Sequence, residues 1–137
     1  MLRQAFEEHQ AVVSASLAAI EPSFDAVLDR LVAGLQAGGR VLAFGNGGSA
    51  AQASHFAAEL TGRFEEDRPG FDAVALSADA AALTSVANDY GFDQVFARQV
   101  AALGRRGDVV VAISTSGTSA NVVEGVRAAA AAGLVTA

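Results

Sequence analysis

The stretch RVLAFGNGGSAAQASHFAAEL, residues 40–60, decides the fold. After Arg40 it runs through the apolar residues Val41, Leu42, Ala43 and Phe44 without polar alternation. That is the composition of a parallel strand buried on both faces. Gly45, Asn46, Gly47 and Gly48 then break the run, and an alanine-rich segment opens at about Ser49. The spacing predicts strand, tight turn and helix in immediate succession.

The same unit recurs on the C-terminal side. DAVAL (72–76) and DVVVAI (108–113) are further short, continuous apolar runs, and LVTA (134–137) reads as the start of a fourth strand. Between them, helices are expected at about 49–62, 79–87, 92–103 and 119–132. Alternation of strand and helix implies right-handed crossovers and an α/β fold with a doubly wound parallel sheet flanked by helices.

On the N-terminal side the rhythm is wholly helical. Leu2, Phe6, Val13, Leu17 and Ile20 form one stripe of an amphipathic helix. Pro22 suits a first helical turn and Gly38–Gly39 a stop, so residues 1–38 are expected to form a helical pair. A pair with an apolar stripe needs a partner surface, on the domain or on another subunit. The expectation is one domain over 1–137, with the pair at 1–38 and the strand/helix core at 39–137.

Composition bounds the function. The chain has 137 residues, 52% of them hydrophobic, with only two prolines, enough to build a core. A net charge of −6 argues against nucleic-acid binding by phosphate neutralisation but permits a small anionic ligand held by local donors. With no cysteine there is neither a disulfide nor a thiolate metal site. No continuous apolar run reaches the roughly 18 residues of a membrane span, and the charged start MLRQAFEEHQ lacks a signal-peptide core. A cytoplasmic location is expected.

In doubly wound sheets, ligands sit beyond the carboxyl ends of the strands. Two loops fall there. GNGGS (45–49) follows the first strand, and STSGTSAN (114–121) follows the third. Glycine lets main-chain N–H groups approach an anion, hydroxyls add donors, and a helix N-terminus adds roughly half a positive charge. Ser114, Thr115, Ser116 and Ser119 are therefore candidates for a phosphate cradle without lysine or arginine. Neither loop fits the dinucleotide or Walker patterns, and GNGGS alone reads equally as a tight connection. His55 and Glu59, four apart, share one helical face. As residue types they suit a surface hydrogen-bonded pair, a general base, or half of a zinc site with nitrogen and oxygen ligands. Asn88 and Asp89, in NDYGF (88–92), read as a turn or as sugar-binding polar groups. The charged stretch RFEEDRP (63–69) reads as a solvated loop.

Three separated segments, GNGGSAAQASHFAAELTGRFEEDRPGF, ANDYGF and GDVVVAISTSGTSANV, together resemble the phosphoheptose isomerases of the sugar-isomerase (SIS) domain family. The resemblance runs from about Gly39 onward, and the preceding helices look like that family's N-terminal helices. It implies isomerisation of sedoheptulose 7-phosphate to D-glycero-D-manno-heptose 7-phosphate through an enediol, a step towards the heptose of cell-surface glycoconjugates. By position, it implies substrate contacts from Asn46, Gly47, Gly48, Asn88 and Asp89, and phosphate contacts from Ser114, Thr115, Ser116 and Ser119. His55 and Glu59 are implied zinc ligands, Glu59 also contacting substrate and serving as the catalytic base. Homotetramers with active sites across subunit interfaces are implied as well. A further Gln and His from a C-terminal helix complete the family's zinc site, and that His is its second acid/base group. Both fall beyond Ala137, so the C-terminal part of the fold is expected to be missing here. The alternatives are a non-catalytic SIS-domain scaffold, like the relative that binds the bacterial replication initiator, and a sugar-phosphate sensor. Glu59 with Ser116 and Ser119 favours the enzyme over the scaffold, and a sensor has no use for His55 and Glu59.

Overall fold

A computed structural model describes all residues from Met1 to Ala137. Its elements run α1 (Leu2–Gln36), β1 (Val41–Gly45), α2 (Gly48–Thr61), β2 (Ala73–Ala75), α3 (Ala80–Tyr90), a 3-10 turn (Phe92–Gln94), α4 (Val95–Leu103), β3 (Val109–Ile113), α5 (Ala120–Ala131) and β4 (Val135–Thr136). The four strands are parallel in the order β2-β1-β3-β4. β1 and β3 lie side by side, Gly45 opposite Ile113, so the two glycine- and serine-rich loops emerge next to each other. The apolar runs that predicted the strands are the sheet, and β1 is buried along its whole length.

Alternate residues of each strand serve opposite faces. Leu42, Phe44 and Val110 join Val95, Phe96 and Val100 of α4 and Val122 and Ala129 of α5 in one apolar cluster. Phe44 stacks on Phe96 with ring centroids 4.8 Å apart. Gly125 permits this, because a Cβ there would sit 2.8 Å from Phe44 Cζ. The intervening residues Val41, Ala43 and Val109 face α2, whose Ala53 and Ala57 are buried, and the end of α1.

At the amino end of the sheet, Arg40 and Asp108 tie the strands together. The buried Asp108 carboxylate accepts from the N–H of Arg40 at 2.8 Å and of Arg105 at 2.7 Å. The Arg40 guanidinium donates to both oxygens of Asp72 at 2.9 Å. That hydrogen bond and charge pairing hold Arg40 above the ordinary arginine value, with Asp108 adding to them.

The N-terminal helical pair is not formed. α1 is one unbroken helix with Pro22 inside it. Nothing near Ile20–Ser23 supplies the glycine of a reversal, and Ser23 Oγ donates to the Ile20 carbonyl at 3.0 Å. The carbonyl that proline leaves without a partner lies on an exposed helix, open to solvent. Only Gly34 of α1 is buried, while Leu2, Phe6, Val13, Leu17, Ile20 and Phe24 are exposed. α1 also contains an 18-residue window of mean hydropathy 1.4, long and apolar enough by that measure to cross a membrane. No continuous run announced it, because Glu21 and Asp25 punctuate the sequence.

Candidate functional site

The first loop leaves β1 at Gly45 and turns at Gly47, whose φ of +54° belongs to the region that favours glycine. The Asn46 carbonyl accepts from the N–H of Ser49 at 2.9 Å and of Ala50 at 3.3 Å, starting α2. The N–H groups of Gly47 and Gly48 have no acceptor and remain available.

The second loop gathers its hydroxyls. Ser114, Ser116 and Ser119 Oγ lie 3.5 Å from one another, a triangle at the start of α5. Ser114 Oγ accepts from Gly117 N–H at 3.1 Å and Ser116 Oγ from Thr118 N–H at 3.2 Å, which leaves each hydroxyl proton free to be donated elsewhere. Ser119 is the N-cap residue of α5, yet its hydroxyl caps nothing and stays with the other two. Three convergent hydroxyls at a helix N-terminus match the tetrahedral oxygens of a phosphate. Thr115 is exposed and its hydroxyl makes no hydrogen bond.

The loops are joined by a residue that the sequence did not single out. Asn46 Nδ2 donates to Asn121 Oδ1, and Asn121 Nδ2 donates to Asn46 Oδ1, each at 2.8 Å. Asn121 is 3% exposed. It sits at the end of STSGTSAN, the motif already marked for its hydroxyls, and an amide in the first turn of a helix was the available signal.

His55 and Glu59 share a face of α2, with Nε2 and Oε1 3.6 Å apart and side chains 76% and 31% exposed. They open onto a cavity of about 640 Å³ with Gln52, Phe56, Phe64 and Arg68. The expected solvated loop at 63–69 is in part a wall of this cavity. Arg68 donates to the carbonyls of Glu59 at 2.8 Å and Leu60 at 3.0 Å, closing the C-terminal end of α2, and stacks on Phe71. Two ligands of a tetrahedral zinc stand about 3.3 Å apart, so the His55–Glu59 pair fits such an ion in donor type and spacing. No third His, Asp or Glu joins it.

The cavity does not include either loop. Ser114 and Gly117 line a separate depression with Val122, Arg127 and Thr136. Helical rise places His55 about 10 Å and Glu59 about 16 Å along α2 from the first loop. Asn88 and Asp89 are not a turn but the last turn of α3, exposed, with Asn88 Nδ2 donating to Asp89 Oδ1 at 2.8 Å. The turn comes later, at Gly91, while Tyr90 carries the Arg98 guanidinium 3.9 Å above its ring.

Residues 5–137 match the SIS domain family. The chain belongs to that family. This SIS domain is 61% identical over 106 residues to the phosphoheptose isomerase of Streptomyces coelicolor, covering 77% of the chain and 46% of the relative. It is 59% identical over 111 residues to that of Thiobacillus denitrificans, covering 81% and 56%. Among solved structures, the Neisseria gonorrhoeae phosphoheptose isomerase superposes with a TM-score of 0.83 at 47% identity, over 99% of this chain and 73% of that one. The Francisella tularensis phosphoheptose isomerase gives 0.88 at 36% identity, over 98% and 72%. The SIS domain described here thus spans about half the length of the curated relatives it matches.

Proposed function

We propose that this chain is the sugar-phosphate-binding domain of a cytoplasmic phosphoheptose isomerase that converts sedoheptulose 7-phosphate to D-glycero-D-manno-heptose 7-phosphate. The product feeds heptose biosynthesis for cell-surface glycoconjugates. The observation that carries the reading is the triangle of Ser114, Ser116 and Ser119 hydroxyls at the N-terminus of α5. It offers a phosphate neutral donors and the positive end of a helix, which suits an acidic protein. Thr115 adds a fourth hydroxyl at the rim. Asn46 and the N–H groups of Gly47 and Gly48 take the neighbouring part of the sugar, and Asn88 and Asp89 bind its hydroxyls.

The ketose-to-aldose step moves a proton from C1 to C2 and another from O1 to O2. Glu59 takes the C1 proton through a carboxylate oxygen, the electrons of that C–H bond form the C1–C2 double bond, and the carbonyl electrons move to O2, which is protonated to give the enediol. Glu59 returns its proton to C2 as the O1 hydroxyl loses its own and becomes the aldehyde oxygen, the second acid/base group of the family resemblance carrying the proton between the two oxygens. His55 Nε2 and Glu59 would hold a zinc ion with further donors from outside this chain, the Gln and His of the family resemblance. When bound, the ion supplies polarisation of the sugar oxygens.

The cavity onto which His55 and Glu59 open includes no residue of the serine loop, which lines a separate depression. The reading therefore pairs the serine loop of one copy with Glu59 of another, in a homotetramer with shared sites. The exposed stripe of α1 supports association of that kind.

The test is conversion of sedoheptulose 7-phosphate with and without added zinc, alongside protection of the fold against heat by the substrate. Zinc-dependent turnover supports the isomerase. Protection without turnover supports a phosphate site lacking its catalytic complement, and absence of both removes the reading.

A further inference from the structure

The Asn46–Asn121 pair does more than join two loops. Asn121 Oδ1 accepts two hydrogen bonds, from Asn46 Nδ2 at 2.8 Å and from the N–H of Val122 at 3.0 Å. The second fixes the amide. Were Asn121 turned over, its NH₂ group would face the Val122 N–H, donor against donor. With Oδ1 pinned, Nδ2 must face Asn46, so the oxygen of Asn46 must be the atom that receives it. The polarity of Asn46 is thus dictated from α5 through one buried side chain. By count, Asn46 has one N–H and one oxygen lone pair left over, on a half-buried residue beside the free amides of Gly47 and Gly48. One donor with one acceptor is the complement of a sugar hydroxyl, which gives and takes one hydrogen bond.

We infer that Asn121 is a positioning residue for sugar recognition: it sets the amide polarity of Asn46 and locks the first loop to the serine loop. The inference rests on the sugar-phosphate reading of this site. It separates the two halves of the ligand, assigning the phosphate to the serine loop and a hydroxyl to the oriented Asn46. Loss of the orientation should then weaken sugar phosphate binding more than binding of phosphate alone.

The experiment measures dissociation constants for sedoheptulose 7-phosphate and for inorganic phosphate by calorimetry, in the unaltered chain, Asn121→Asp, Asn121→Leu, Asn46→Ala and Asn46→Ala/Asn121→Asp. Asn121→Asp keeps the acceptor for Val122 N–H and suits a helix N-terminus, and its melting temperature is measured alongside. It presents an oxygen to Asn46 Oδ1 and expels that amide from its orientation. Its added charge acts on both anions, so the readout is the ratio of their affinities. Asn121→Leu repeats the test without charge. The expected result is a roughly tenfold fall in the preference for the sugar phosphate in both variants. In the double variant the preference for the sugar phosphate should fall no further than in Asn46→Ala, since Asn121 acts on the sugar only through Asn46. An unchanged ratio, or losses of preference that add in the double variant, would overturn the inference and leave the sugar-phosphate reading standing. Failure of the unaltered chain to bind either ligand would remove that reading and the inference with it.

Discussion

Glu59 is the residue whose chemistry is most exposed to test. Its carboxylate is one atom away from an amide of the same shape, and Glu59→Gln keeps the cavity wall while removing the ability to take a proton. Turnover should fall by a factor of at least about 10², with inorganic phosphate affinity unchanged because the serine loop lies elsewhere. Retained turnover would assign the base to another group. Asp108 is a structural counterpart at the opposite end of the sheet. Asp108→Ala empties a buried side-chain position and leaves the partly buried Arg40 and Arg105 N–H groups without acceptors. The loss should be about 3 kcal/mol in urea unfolding; less than about 1 would mean that water replaces the carboxylate. Single residues were unevenly legible in the sequence. Ser114, Ser116 and Ser119 declared themselves by number and position, and the structure gathers them. Asn121 did not, because an asparagine in a first helical turn has many local uses, and its partner is 75 positions away in the chain. Arg68 was hidden by its acidic neighbours, which made the whole stretch read as solvated.

Among the elements, the strands and core helices were readable because each is decided locally, by apolar runs bounded by glycine and aspartate. Close packing between elements was not, and Gly125 is the instance. It sits inside α5, where alanine would favour the helix by up to about 1 kcal/mol, yet Phe44 and Phe96 occupy the space its side chain would need. Gly125→Ala should therefore destabilise by roughly 1–3 kcal/mol, seen as a lower denaturation midpoint with the slope unchanged. A gain in stability would mean that the stacked rings shift at little cost. Pro22 misled in the opposite direction. Its local preference for a first turn is real, but ending one helix and starting another needs a reversal, and the flanking residues offer none.

For the whole molecule, the open matter is what covers α1. On a helix advancing 100° per residue, positions 2, 6, 9, 13, 17, 20, 24, 28, 31 and 35 fall within an arc of roughly 100°, and all but His9 are apolar. The set maps onto itself when reversed about the midpoint between Ala18 and Ala19. In an antiparallel pair of α1 helices, Leu2 would meet Leu35, Phe6 would meet Leu31, Val13 would meet Phe24, and Leu17 would meet Ile20. Such a contact is isologous, as one of the two-fold interfaces of a tetramer must be. It also explains why an acidic chain exposes so many large apolar side chains along one helix. Leu17→Glu places a carboxylate at the centre of the seam, twice per pair, where desolvation opposes it. The dissociation constant should rise by roughly a hundredfold, about 2.7 kcal/mol, read by sedimentation velocity across a dilution series. Glu7→Gln, on the flank of the stripe, should leave the assembly intact. Because the proposed site joins the serine loop of one copy to Glu59 of another, turnover should fall with the assembly and return at high protein concentration. A Leu17→Glu protein that stays assembled would move the interface to another face of the domain.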